Sequence, residues 1–77
     1  MPVPPTLGQH IRALRQDRNL TLRDVSEASV VSVGFLNDIE HDRTRPSLIT
    51  LVRIATALDM TAIDVLAGIP PYDHGKE

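Results

Sequence analysis

Apolar residues recur along this chain at helical spacing, in short runs that polar residues open and close. Leu7, Ile11 and Leu14 stand three to four apart behind Thr6 and Gln9, a pair that can satisfy each other's backbone N–H at a helix start. The pattern predicts a first helix from Thr6 to about Arg18, ended by Asn19 in the left-handed conformation that asparagine tolerates. Leu20 and Leu22 bracket Thr21 and are expected to tuck into the core. Thr21 and Asp24 repeat the capping pattern, and Val25 and Ala28 fall on one face of a second helix. Helical register breaks at Ser29-Val30-Val31, and Ser32 then caps a third helix with Phe35, Leu36 and Ile39 on its apolar side. From His41 to Pro46 the chain reads as a loop, because the proline bars Arg45 from helical geometry. Ser47 opens a fourth helix, with Leu48, Leu51, Val52, Ala55 and Leu58 expected on one face at offsets of 3, 4, 7 and 10. Thr61 with Asp64 opens a fifth, through Ile63, Val65, Leu66 and Ala67, stopped by Gly68. No strand-period alternation of useful length interrupts the pattern, so the expected fold class is all-α, a compact five-helix bundle.

The second and third helices, Thr21 to Glu40, are too short to be stable alone and must be propped by the others. Two short helices joined by a tight break, one of them projecting outward, form the helix-turn-helix arrangement that sets a helix in the major groove of DNA. The expected organisation is a proline-rich arm at 1–5, a helix-turn-helix DNA-binding domain at 6–67, and an irregular tail at 68–77 that is a candidate for a dimer interface.

Composition narrows the alternatives. Seventy-seven residues make one small domain with a marginal core, and no cysteine is available for a disulfide or thiolate staple. The apolar runs are too short to span a bilayer and no basic leader precedes an apolar stretch, so a cytoplasmic protein, nucleoid-associated when bound to DNA, is expected. His10, His41 and His74 lack a metal-binding spacing, and no glycine-rich phosphate loop or activated nucleophile is present. Neither an enzyme, a cofactor nor a small-molecule ligand is expected. The net charge of −2 is unusual for a nucleic-acid binder, but its distribution matters more than its sum. Seven of the eight basic residues are arginines (Arg12, Arg15, Arg18, Arg23, Arg43, Arg45 and Arg53), whereas Asp59, Asp64, Asp73 and Glu77 crowd the C-terminal third.

The segments LGQHIRALRQDRNLTL, GFLNDIE, RTRPSLITLVRIATALDM and TAIDVL, over about residues 6–67, resemble the Cro/phage-repressor type of helix-turn-helix domain, the xenobiotic-response-element family of transcriptional regulators. The resemblance implies apolar core residues at Val25, Val31, Leu36 and Ile39. It also implies a structural ion pair between Arg15 and Glu40, which would turn the glutamate away from phosphate and lock the third helix to the first. Four positions depart from the family pattern. Val30 stands where the turn normally holds glycine, so either a left-handed valine is strained by about 1–2 kcal/mol or the turn takes another path. Ser29 stands where an apolar residue is preferred, and Leu22 replaces a glutamine that often touches the DNA backbone. Asp42 replaces the glycine usual after the third helix; aspartate tolerates the left-handed region better, but it adds negative charge near DNA.

By the family pattern, the base-contacting positions are Ser32, Val33, Gly34, Asn37 and Asp38. Asn37 suits the N6 and N7 edge of adenine, Asp38 could accept from cytosine N4, and Val33 could meet a thymine methyl. Gly34 would allow close approach, and Ser32 could combine capping with a phosphate or base bond. Phosphate contacts are expected from Arg23, Arg43, Thr44 and Arg45. A dimer interface is expected at Ile63, Leu66, Ile69 and Tyr72, with Ile49 a further candidate. The expected function is sequence-specific binding of double-stranded DNA by a transcriptional regulator of repressor type, a homodimer on a pseudo-palindromic operator. The alternative is a protein-interaction module on the same fold, antirepressor- or antitoxin-like. The acidic balance, Leu22, Val30 and Asp38 lean toward it.

Overall fold

Five helices form where polar openings and apolar faces coincide: α1 Leu7–Asp17, α2 Leu22–Ser29, α3 Val33–Glu40, α4 Leu48–Ala57 and α5 Ala62–Ala67. The structure, a computed structural model, describes residues 5–67. The expectations for the arm before Pro5, for Gly68 as a stop, and for Ile69, Tyr72 and the rest of the 68–77 tail lie outside the described residues.

The expected caps open each helix. Thr6 and Gln9 form a reciprocal capping box at α1, and Thr21 and Asp24 form one at α2. The Ser32 and Ser47 hydroxyls each accept from the N–H three residues on, at 3.1 Å, and the Thr61 hydroxyl accepts from Asp64 N at 3.0 Å. Four non-glycine residues take positive φ just beyond a helix: Asn19, Val30, Asp42 and Asp59. After α1, α3 and α4 the next two N–H groups turn back onto the last carbonyls, as in Leu20 N to Arg15 O, Arg43 N to Asp38 O and Met60 N to Ala55 O. Asparagine and aspartate take this conformation at modest strain. Valine does not, and Val30 sits at φ 61°, ψ 32°.

Ile11, Val25, Val31, Leu36, Ile39, Leu51, Ile54, Ala55, Leu58 and Val65 form the buried core, with Leu7, Leu14, Leu20, Leu22 and Leu66 packed against it. In this core α2 packs against α3 and α4, α1 against α3 and α5, and α4 against α5. Two expectations about faces are corrected. On α4 the buried stripe is Leu51, Ile54, Ala55 and Leu58, while Leu48 and Val52 are 70% and 45% exposed. At about 100° per residue Val52 is rotated off that stripe, and Leu48 lies a turn before it, beyond the edge of the core. On α2, Ala28 is exposed and Ser29 is buried in its place. Burial of that hydroxyl is tolerated because Ser29 Oγ donates to the Val25 carbonyl at 2.6 Å.

Candidate nucleic-acid interface

The α2–turn–α3 unit is assembled from these local choices. Val30 reverses the chain after α2, Val31 plugs the core, and Ser32 restarts a helix whose inner face, Leu36 and Ile39, is fully buried. The outer face is therefore fixed in direction. Ser32, Val33 and Gly34 are exposed on the first turn of α3, and Asn37 and Asp38 are half-buried one turn on. At Gly34 an added Cβ would meet nothing within 4 Å, so the fold itself does not require glycine there. Phe35 is 37% exposed at the margin of this face.

Arg15 and Glu40 lie behind that surface. Arg15 Nε donates to Glu40 Oε2 at 2.7 Å and an Nη to Oε1 at 3.0 Å, a two-pronged pair that joins α1 to the last residue of α3. A third guanidinium bond reaches the Leu20 carbonyl at 2.8 Å, tying in the segment that leads to α2. Hydrogen bonding to Glu40, supported by its charge and opposed by burial, raises the Arg15 pKa above its ordinary value. At the start of α2, the Thr21 backbone N–H, and then its hydroxyl, hold the Asp24 carboxyl below its usual value.

The expected phosphate-contacting residues lie on α2 and in the loop that follows α3. Arg23 is exposed on α2, Arg43 and Arg45 are exposed in the loop that follows α3, and Thr44 is half-buried between them. Arg43 is also tied to α3: its N–H donates to the Asp38 carbonyl at 2.8 Å, and its guanidinium reaches Asp38 Oδ1 at 3.3 Å. Asp38 is thus the counter-ion of Arg43. His41 turns back onto α3, its Nδ1 2.8 Å from the Asn37 carbonyl.

Two side chains, Arg18 and Asp42, carry tertiary roles that reading the sequence missed, while Leu22 packs against the core as expected. Arg18 Nε donates to the Leu58 carbonyl at 2.8 Å, so it ties the end of α1 to the end of α4. Leu22 is half-buried against the core and presents no polar group. Asp42 takes the left-handed conformation expected of it and, beyond that expectation, reaches back to the start of α1, where it accepts from the Thr6 hydroxyl and the Gly8 N–H. Of the expected dimer residues, Ile63 is 78% exposed and Leu66 is half-buried against the core. Among the described residues no His, Cys, Asp or Glu cluster could hold a metal, and no helix is long and apolar enough to cross a membrane.

Residues 11–66 match the helix-turn-helix family HTH_3. The chain is 42% identical over 66 residues to the HTH-type transcriptional regulator DdrOP3 of Deinococcus deserti, covering 86% of this chain and 51% of that protein. It is 47% identical over 53 residues to the immunity repressor protein of Bacillus phage phi105, covering 69% of this chain and 37% of the repressor. The chain thus spans about half the length, or less, of these two curated relatives. Among solved structures, that of SinR, the master regulator for biofilm formation, in complex with DNA superposes with a TM-score of 0.74 at 26% identity, over 79% of this chain and 98% of that one.

Proposed function

Because this chain belongs to the helix-turn-helix family of transcriptional regulators, a family of DNA-binding proteins and not of enzymes, we propose that it is a repressor acting as a homodimer on a pseudo-palindromic operator, with α3 in the major groove. The observation that carries this reading is the polarity of α3. Leu36 and Ile39 anchor one face in the core, and the opposite face presents Ser32, Val33, Gly34, Asn37 and Asp38 between the exposed arginines of α2 and the following loop. In this reading Asn37 reads adenine, Asp38 accepts from cytosine and Val33 meets a thymine methyl. Arg23, Arg43, Thr44 and Arg45 grip the phosphates on either side and supply most of the affinity that does not depend on sequence. Glu40, a carboxylate at the end of α3, is turned inward onto Arg15 and so does not confront phosphate in this arrangement.

A second copy covers the apolar surface that one domain leaves open. Four of the large exposed hydrophobics, Leu48, Ile49, Val52 and Ile63, sit on α4 and α5, outside the α2–α3 unit. In this reading the two copies pair through these helices, and an operator with half-sites one turn of duplex apart requires their α3 helices to stand about 34 Å apart.

Selection from a randomised duplex pool, followed by anisotropy titration at two salt concentrations, tests the proposal. The expected result is an inverted repeat bound with affinity that falls steeply as salt rises. The Arg43→Ala, Arg45→Ala double variant is expected to lose most of that binding. No enriched sequence, and weak binding even at low salt, would refute DNA recognition by this chain and point to a protein partner on the α3 face.

A further inference from the structure

The loop that carries Arg43, Thr44 and Arg45 is pinned at its start to an element far away in sequence. Asp42 Oδ2 accepts from the Thr6 hydroxyl at 2.6 Å, and Asp42 Oδ1 accepts from the Gly8 N–H at 3.2 Å. The same Thr6 hydroxyl accepts from the Gln9 N–H at 3.1 Å, so a single residue caps α1 and holds Asp42. Gly8 N–H is one of the donors that a helix start leaves without an intrahelical acceptor, and a carboxylate is a favourable partner there. Close approach is built in: a Cβ at Gly8 would overlap the Ile39 carbonyl and stand only 2.6 Å from Asp42 Oδ1 and 3.0 Å from the Glu40 carbonyl. Asp42 holds φ 60°, which reverses the chain and returns Arg43 over the last turn of α3.

We propose that Asp42 is a positioning residue for DNA binding: the Thr6–Gly8–Asp42 junction fixes the loop so that Arg43 and Arg45 meet phosphate in register with α3. The inference rests on the DNA reading above. It assigns a productive role to a carboxylate whose charge alone would weaken binding to a polyanion. With the junction intact, the arginines enter the complex already oriented, and less ordering is required when phosphate binds.

Two substitutions remove the same charge and differ in whether they keep the junction. Asp42→Asn retains an acceptor for the Gly8 N–H and an amide that can bond Thr6, whereas Asp42→Gly accepts the left-handed conformation but loses both ties. Wild type, the two single variants, and both substitutions in an Arg43→Ala, Arg45→Ala background are titrated with the selected operator at several salt concentrations. Asp42→Asn is expected to bind at least as tightly as wild type, and Asp42→Gly about tenfold more weakly than Asp42→Asn. Asp42→Gly is also expected to show a salt slope shallower by about one to two phosphate contacts. In the double-alanine background the gap between the two should close, which a general loss of stability would not produce. Equal affinity of the two folded variants, or tighter binding by Asp42→Gly, overturns the proposal. Thr6→Val against Thr6→Ser gives the same comparison from the α1 side should Asp42→Gly not fold. Failure of wild type to select any duplex strikes the DNA reading itself. Amide exchange at residues 42–46, faster in Asp42→Gly than in Asp42→Asn if the junction exists, is read on the free protein and separates the two failures.

Discussion

Val30 is a stored strain that substitution should release. Its φ of 61° and ψ of 32° put a β-branched side chain in the left-handed region, and its surface is 83% exposed, so little packing offsets the distortion. The left-handed conformation disfavours a non-glycine residue by about 1–2 kcal/mol, and a β-branched side chain lies toward the upper end. Val30→Gly removes that strain but gives the unfolded chain extra freedom, which lowers stability by about 0.5–1 kcal/mol. The balance is a net gain of about 0.5–1.5 kcal/mol. For a domain of this size that corresponds to a melting midpoint higher by about 2–12 °C. Val30→Asn keeps more of the unfolded chain's restriction while tolerating the same backbone, so it should gain at least as much. Paired thermal and urea unfolding measure both effects, with an unchanged denaturant slope confirming that only stability moved. A midpoint equal to or below wild type in both variants would refute the strain and mean that the valine contributes contacts its exposure does not suggest.

Other outcomes follow from the same geometry. Glu40→Ala leaves the Arg15 guanidinium half-buried without its carboxylate and should lower stability by about 3 kcal/mol, a large part of what a domain this small possesses; urea unfolding with little change would contradict the structural role of the pair. Gly34→Ala fills open space, so it should raise stability by up to about 1 kcal/mol; a DNA-facing Gly34 also requires operator affinity to fall about tenfold, and an unchanged affinity would remove Gly34 from the interface. Asp24 is held below its usual pKa by Thr21, so its contribution is present above the unfolded carboxyl value and is lost as pH falls through the lower folded value. The stability difference between wild type and Asp24→Asn should therefore be level near neutral pH and shrink on acidification; a difference that grows in acid would reverse the assigned sign.

What was legible in the sequence was local. The Thr6–Gln9, Thr21–Asp24 and Thr61–Asp64 pairs act over three residues, so spacing alone located three helix starts. The outward face of α3 was legible for the same reason, because Leu36 and Ile39 define its opposite. Leu48 and Val52 were misassigned because an apolar stripe admits neighbouring faces, and only the packing of α2 and α5 selects the one that Ile54 occupies. Arg18 reaching Leu58 and Thr6 reaching Asp42 span separations of 40 and 36 residues, and no local pattern encodes such partners. A glycine replaced by aspartate reads in one dimension as added charge. Only in three dimensions does it become a tie.

In the proposed complex the labour of this surface is divided: Asn37 on α3 reads a base, and Arg45 in the loop holds phosphate. The most direct measurement titrates wild type, Asn37→Ala and Arg45→Ala against the selected operator and a panel of its single base-pair variants. Asn37→Ala should lose about 1–3 kcal/mol of discrimination at one symmetric pair of positions and leave discrimination elsewhere intact. Arg45→Ala should weaken binding to every duplex alike and reduce the salt slope by about one contact. If Asn37→Ala weakens all duplexes equally and no position relaxes, α3 is not the reading element and the account is wrong.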